Sequence, residues 1–304
     1  MHLMEEVRAG ARAVAERAVH VSIDQTAVEA LAARIAAETR GRGEARDATG
    51  AGWDETIHFV GPEGATVQYL FVLDALNFCF WPSEGKWEYA DLSSALKAAA
   101  EADELALSAD ALAEMDAPRL RALLGGRDLP DMPSRVRLLR EVGSVLNDKY
   151  RGSAANLVEE CGGSAVALVA AVVRDFPGFR DEAHYPSLGE VRFYKRAQIF
   201  VGDVYGALKG QGLGRFADVG QLTMFADYRV PQILRQVREA GHQIIAMIKW
   251  IRTSRLSIKN SLCRWACCST RRHSPGRSTG WRRSRRGARR RSRSALSPFR
   301  QWRR

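Results

Sequence analysis

Four stretches within the first 250 residues repeat apolar side chains every three or four positions, the period of a helix with one buried face. Val28, Leu31, Ala32 and Ile35 follow Asp24, a residue suited to capping a helix start. Val136, Leu139, Val142, Val145 and Leu146 follow Pro133-Ser134. A third stretch opens after Ser164 and stops at Asp175-Phe-Pro-Gly-Phe179, where proline and glycine end a helix. The fourth runs from Val191 to Leu208 through Tyr194, Ala197, Val201 and Val204. Together they predict a mainly α body. One patch departs from this pattern. Ile57-His-Phe-Val60 and Val67-Gln-Tyr-Leu-Phe-Val72 are rich in β-branched and aromatic residues and flank a Gly/Pro turn, which predicts a short β-hairpin. Gly41–Gly50 reads as a mobile loop. Gly210-Gln-Gly-Leu-Gly214 reads as a turn, because no βαβ pattern surrounds it to make it a phosphate loop.

The net charge of +11 over 304 residues conceals two opposite regions. Residues 251–304 hold 18 Lys and Arg and no acid, leaving 28 basic against 35 acidic residues in the first 250, a net of −7. The whole-chain charge therefore says nothing about nucleic acid. From about Val237 the amphipathic pattern is lost, so the chain divides into a body, 1–236, and a basic, disordered C-terminal tail, 237–304. Gly276 to Arg293 mixes Arg, Ser and Gly around Trp281 with no apolar face. Two readings of the tail stay open. It is a solvated arm that grips nucleic-acid phosphates, or it is GC-rich coding DNA read out of frame or through a retained intron.

Met1-His-Leu-Met-Glu-Glu-Val-Arg lacks the apolar centre of a secretory signal. The longest near-apolar run, Ala165 to Val173, is too short to span a bilayer. Only Cys79 and Cys161 lie in the body, and Cys263, Cys267 and Cys268 in the tail form no CxxC. The expectation is a cytoplasmic, metal-free, monomeric protein that does not bind a membrane.

Chemistry concentrates in a few segments. Phe225-Ala-Asp-Tyr-Arg-Val-Pro-Gln232 sets an acid, a phenol, a guanidinium and a carboxamide side by side, a mixture that a packing segment avoids because each buried polar group needs a partner. The plain alternative for Asp227 is a cap on a helix beginning near Val230, or a partner for Arg229. Asp74-Ala-Leu-Asn-Phe-Cys-Phe-Trp81 adds an amide, Asn77, among Phe78, Phe80 and Trp81. Such rings stack on a heterocycle for about 1–3 kcal/mol per base, although aromatic residues also simply fill cores. Lys195 and Gln198 are three apart and share a helix face, while Arg196 points elsewhere. A solvated face would carry the same residues. His20 sits between valines in Ala18-Val-His-Val-Ser-Ile23, which suits a structural histidine as well as a pocket one.

These segments, together with Phe193-Tyr-Lys-Arg-Ala-Gln-Ile199, resemble the queuosine salvage proteins, the N-glycosidases of queuosine 5′-phosphate, over roughly residues 5–236. The resemblance implies a helical DNA-glycosylase-like, helix-hairpin-helix-like core. It implies release of queuine from queuosine 5′-monophosphate, a free nucleotide rather than a nucleic acid, so that the base can return to tRNA. No metal or organic cofactor is implied. Asp227 matches the family's active-site aspartate and is the expected catalytic group. His20, Asn77, Phe78, Trp81, Lys195, Gln198, Phe225, Tyr228 and Arg229 are the expected substrate-binding residues. The family also carries an Asp-x-x-Leu-Trp motif near its C-terminus, which a tail without acids does not supply. Two alternatives remain: a relative that binds queuosine or queuine without cleaving it, and a nucleic-acid-binding protein that uses the basic tail.

Overall fold

The computed structural model describes residues 3–40, 53–80, 87–227, 230, 231 and 234. Gly41–Gly50 and the 237–304 tail lie outside the described residues. The helices, in chain order, are α1 (Leu3–Arg17), α2 (Gln25–Arg40), α3 (Glu63–Ala75), α4 (Tyr89–Ala102), α5 (Ala109–Ala113) and α6 (Ala117–Leu123), then α7 (Met132–Tyr150), α8 (Ala154–Glu160), α9 (Ala165–Asp175) and α10 (Lys195–Ala207). A single two-stranded antiparallel sheet among the described residues pairs β1 (Glu182–Tyr185) with β2 (Gly189–Arg192), Glu182 facing Arg192 and Tyr185 facing Gly189. The body is mainly helical, as expected. No described helix is long and apolar enough to cross a membrane.

Local chemistry explains most helix starts. The Asp24 carboxylate accepts the Ala27 N–H at 3.0 Å, and the Ser164 hydroxyl accepts the Ala167 N–H at 3.1 Å. Asp218 reinforces α9, taking the Ala165 N–H at 2.6 Å and the Ser164 hydroxyl at 2.8 Å. Burial alone would raise the Asp218 carboxyl, but the Ser164 hydroxyl and the N–H groups of Ala165 and Val166 hold it below its usual range. α7 begins at Met132, one residue before its proline, because the Asp131 carboxylate accepts the Ser134 N–H and Pro133 occupies the first turn.

The hairpin expected at Ile57–Val72 is not formed. Residues 57–60 are irregular and 63–75 form α3, while the hairpin lies at 182–192. α3 is buried on every side, from Thr66 and Val67 through Tyr69 to Ala75. A helix apolar all round has no 3.6-residue stripe, so its valines and aromatics imitate a strand. Its neighbours are α4, α7, α8 and α10. Val67, Leu70, Phe71, Val72 and Leu73 are each fully buried, worth about 1.5–3 kcal/mol apiece. Phe71 stacks on Phe179 with ring centres 4.9 Å apart, meets Phe176 edge-on at 4.8 Å and tilts against Phe200 at 4.7 Å.

α7 reaches the body through a close approach to α5. A Cβ at Gly143 would lie 2.2 Å from the Ala113 nitrogen and 2.4 Å from the Ala109 oxygen, so no side chain fits there. At its carboxyl end α7 is tied to α9 by Asp175, which accepts from Lys149 at 2.5 Å and from the Tyr150 hydroxyl at 2.6 Å. Arg174, then Lys149 and Tyr150, hold the Asp175 carboxyl well below the usual carboxylate range against the opposing effect of burial. A depressed folded-state value gives stability that is fully present above the unfolded carboxylate's range and lost as pH falls towards the folded one. Asp175→Asn is therefore expected to lower stability by about 1–3 kcal/mol at pH 7. Denaturant unfolding at several pH values should show the gap to the parent narrowing from pH 5 to pH 2, and a gap independent of pH would refute the tie.

Candidate active site

Three segments meet at the carboxyl end of α3. The first is the turn after that helix. Leu76 leaves α3, Asn77 is fully buried, and Cys79 has a left-handed φ of 46°. The Asn77 amide donates to Asp74 at 3.2 Å. Its own Oδ1 is buried and has no hydrogen-bond partner among the described residues. The second segment is the start of α10, where Lys195, Arg196 and Gln198 are only 3%, 8% and 0% exposed. The solvated-face reading of these residues is thereby excluded. The third is the extended run 222–227, which follows α10.

Charged side chains close the end of α3. A buried helix terminus leaves carbonyls that must find donors within the protein. Arg196 Nη1 donates to the Ala75 carbonyl at 3.0 Å and Lys195 Nζ to the Asn77 carbonyl at 3.3 Å. Arg135 serves the carbonyls of Leu76 at 2.6 Å, Phe78 at 2.5 Å and Cys79 at 2.7 Å. Five consecutive carbonyls, 75 to 79, thus accept from three cationic side chains. Arg196 turns away from Asp227, as its spacing from Lys195 and Gln198 predicts. It bonds Asp181 at 2.8 Å through Nε and also meets the Gly178 carbonyl.

Asp227 is 2% exposed. Its Oδ2 lies 3.9 Å from Lys195 Nζ, an ion pair too long for a hydrogen bond, and its Oδ1 accepts the Val230 N–H at 3.2 Å. The capping role suggested for Asp227 is present, with the Lys195 contact added to it. Gln198 holds the same run from below: its Oε1 accepts the Thr223 N–H at 2.7 Å, and its Nε2 donates to the Thr223 hydroxyl and the Phe193 carbonyl, both at 2.9 Å. Phe225 lies over Gly202 of α10, where a Cβ would come within 2.7 Å of the ring.

Asn77, Lys195 and Asp227 are therefore brought together, and Gln198 and Phe225 fix the run that carries Asp227. Phe78 is half-buried, with the guanidinium carbons of Arg135 and Arg196 4.2 and 5.1 Å from its ring centre. His20 is exposed, between α1 and α2. Trp81, Tyr228 and Arg229 lie outside the described residues. Arg135 was not among the residues singled out from sequence. Its signal was its phase, since it stands four residues before Leu139 on the stripe that continues through Val142, Leu146 and Tyr150. Among the described residues no three His, Cys, Asp or Glu side chains gather as metal ligands would.

A family model described as queuosine salvage protein matches residues 57–242, more than half of the chain, and spans all three segments. The chain belongs to the queuosine salvage protein family. Among its relatives, the queuosine 5′-phosphate N-glycosylase/hydrolase of Dictyostelium discoideum is 47% identical over 186 residues, covering 60% of this chain and 57% of the relative. The protein of the same name from Sphaerobacter thermophilus is 41% identical over 237 residues, 74% of this chain and 70% of the relative. That from Bos taurus is 35% identical over 246 residues, 75% and 70%. This salvage-family chain thus spans between about half and seven-tenths of the relatives it matches.

Gln198→Leu tests how the Asp227 run is held. Loss of its amide is expected to lower stability by about 1–3 kcal/mol and to speed amide exchange at Thr223 by about tenfold or more. Parent-like exchange at Thr223 in the folded variant would show that other contacts hold the run.

Proposed function

We propose that this salvage-family protein hydrolyses the N-glycosidic bond of queuosine 5′-monophosphate and releases queuine. The observation that carries the reading is the buried Asp227 carboxylate, paired with Lys195 beside the Asn77 turn. The names of the relatives supply the substrate. As the base leaves, positive charge builds on the ribosyl ring, and a fixed anion beneath it lowers the barrier. Asp227 is that anion. Its Oδ1 is fixed by the Val230 N–H, and Lys195 provides the opposite charge that a buried carboxylate needs. A carboxylate so placed also orients or deprotonates the attacking water. The Asn77 Oδ1, an acceptor not used by the described residues, takes an N–H from the edge of the base.

On the same footing, the protein acts in the cytoplasm as a monomer on a free nucleotide, feeds the base back to tRNA modification, and needs no cofactor. Its helical core is of the DNA-glycosylase type. The catalytic body is 1–236, and the end of the family match at residue 242 supports a boundary near there.

The first experiment is chromatographic detection of queuine after incubating the full chain with queuosine 5′-monophosphate. A chimera carrying the C-terminal segment of the Sphaerobacter thermophilus relative runs in parallel. Release by either protein supports the reading, with release by the chimera alone tracing the deficit to that segment. Nucleotide binding without release by both would favour a binding-only relative. In whichever protein is active, Asp227→Asn should lower the unfolding midpoint, because the buried Lys195 loses its counter-charge. Measured well below that midpoint, it should lower base release by about 10²–10³-fold. Near-normal release from the folded variant would defeat the assignment.

A further inference from the structure

Arg135 does its work at a distance from the acid. It lies in the first turn of α7, is fully buried, and also donates through Nε to the Pro130 carbonyl at 2.8 Å. A guanidinium removed from water is costly unless its donors are met. Here three acceptors come from one short turn, the carbonyls of Leu76, Phe78 and Cys79. That turn needs holding, because Cys79 has a φ of 46°, a conformation that costs an ordinary residue about 1–2 kcal/mol. The rings of the turn pack on the same group, Phe78 at 4.2 Å and Phe80 at 5.8 Å from the guanidinium carbon.

The carbonyl left between the ones Arg135 holds is that of Asn77, and it accepts from Lys195 at 3.3 Å. We propose that Arg135 is a positioning residue for the reaction centre. By pinning the peptides on both sides of Asn77, it fixes the direction of the Asn77 carbonyl and hence the position of the Lys195 ammonium beside Asp227. The reach is through Asn77 and Lys195. Lysine cannot replace it, since one ammonium does not offer a planar fork of five donors to several carbonyls at once. The catalytic half of this inference rests on the proposed N-glycosidase reading, and the structural half does not.

The test uses Arg135→Met and Arg135→Lys in the full chain, with the lysine variant retaining the charge should the methionine variant fail to fold. The first readout is independent of activity. Cys79 is labelled with a maleimide and Lys195 with an acylating reagent under native conditions, and the sites are quantified by mass spectrometry. Both groups are buried in the parent, at 7% and 3% exposure. Labelling of both is expected to rise about tenfold or more in a variant that still unfolds cooperatively. Parent-like labelling in a folded variant overturns the clamp, whether or not the chain hydrolyses anything. The second readout is steady-state kinetics well below each variant's Tm. There kcat should fall by about 100-fold, and KM should rise with it, because the turn that carries Asn77 and Phe78 moves together with the acid pair. Parent-like kcat in a folded variant overturns the positioning role. Absence of queuine release from the parent and the chimera sinks the N-glycosidase reading instead, and the labelling then decides the clamp alone.

Discussion

A helix that ends away from water leads into carbonyls that only protein donors can satisfy. Here five in a row, Ala75 at the end of α3 and Leu76 to Cys79 in the turn beyond it, accept from buried side chains. The response is three cationic side chains, Arg135, Lys195 and Arg196, all buried. Bringing cations inside creates a second requirement, since each needs opposite charge or oxygen acceptors around it. Asp181 faces Arg196 and Asp227 faces Lys195. The carboxylate proposed for catalysis thus also serves the architecture, as the counter-charge to a lysine that helps terminate a helix.

Sequence periodicity reveals a helix when that helix has two different faces. α2, α7 and α9 each have a stripe, and Asp24 and Ser164 mark two of their starts within a residue. The stripe of α2 is not buried as its period predicts, since Val28 and Ala32 are exposed and Leu31 is only half-buried. α3 has no polar face to contrast with its apolar one, so its local composition points to a strand. The true hairpin is short, and Glu182-Ala-His-Tyr and Gly189-Glu-Val-Arg carry few of the residues that advertise strands. The fourth stripe joined two elements, because Val191 and Arg192 end β2 before α10 begins at Lys195.

The site was legible where residue types are unusual for their surroundings. Asp227 and Asn77 stand out because acid and amide occur beside aromatic or apolar neighbours, whereas Lys195, which a solvated face would carry equally well, is marked only by the family resemblance of Phe193–Ile199. Gln198 was read together with Lys195, and the fold separates their contacts, sending the lysine towards Asp227 and the glutamine towards Thr223. Arg135 escaped notice because arginine on a helix normally marks solvent. Its burial is determined by carbonyls more than fifty residues upstream, and no local pattern encodes such a partner.

Gln198, Gly202 and Lys195 lie within two turns of one another on α10, and they meet Thr223, Phe225 and Asp227 respectively. The acid-bearing run is therefore borne by a single rigid rod, which itself rests on α3 and α9. A carboxylate mounted this way does not wander as a loop residue would when the protein warms. Heating should leave its aim intact until α10 detaches from the core, so that loss of function and loss of fold arrive together as one cooperative event.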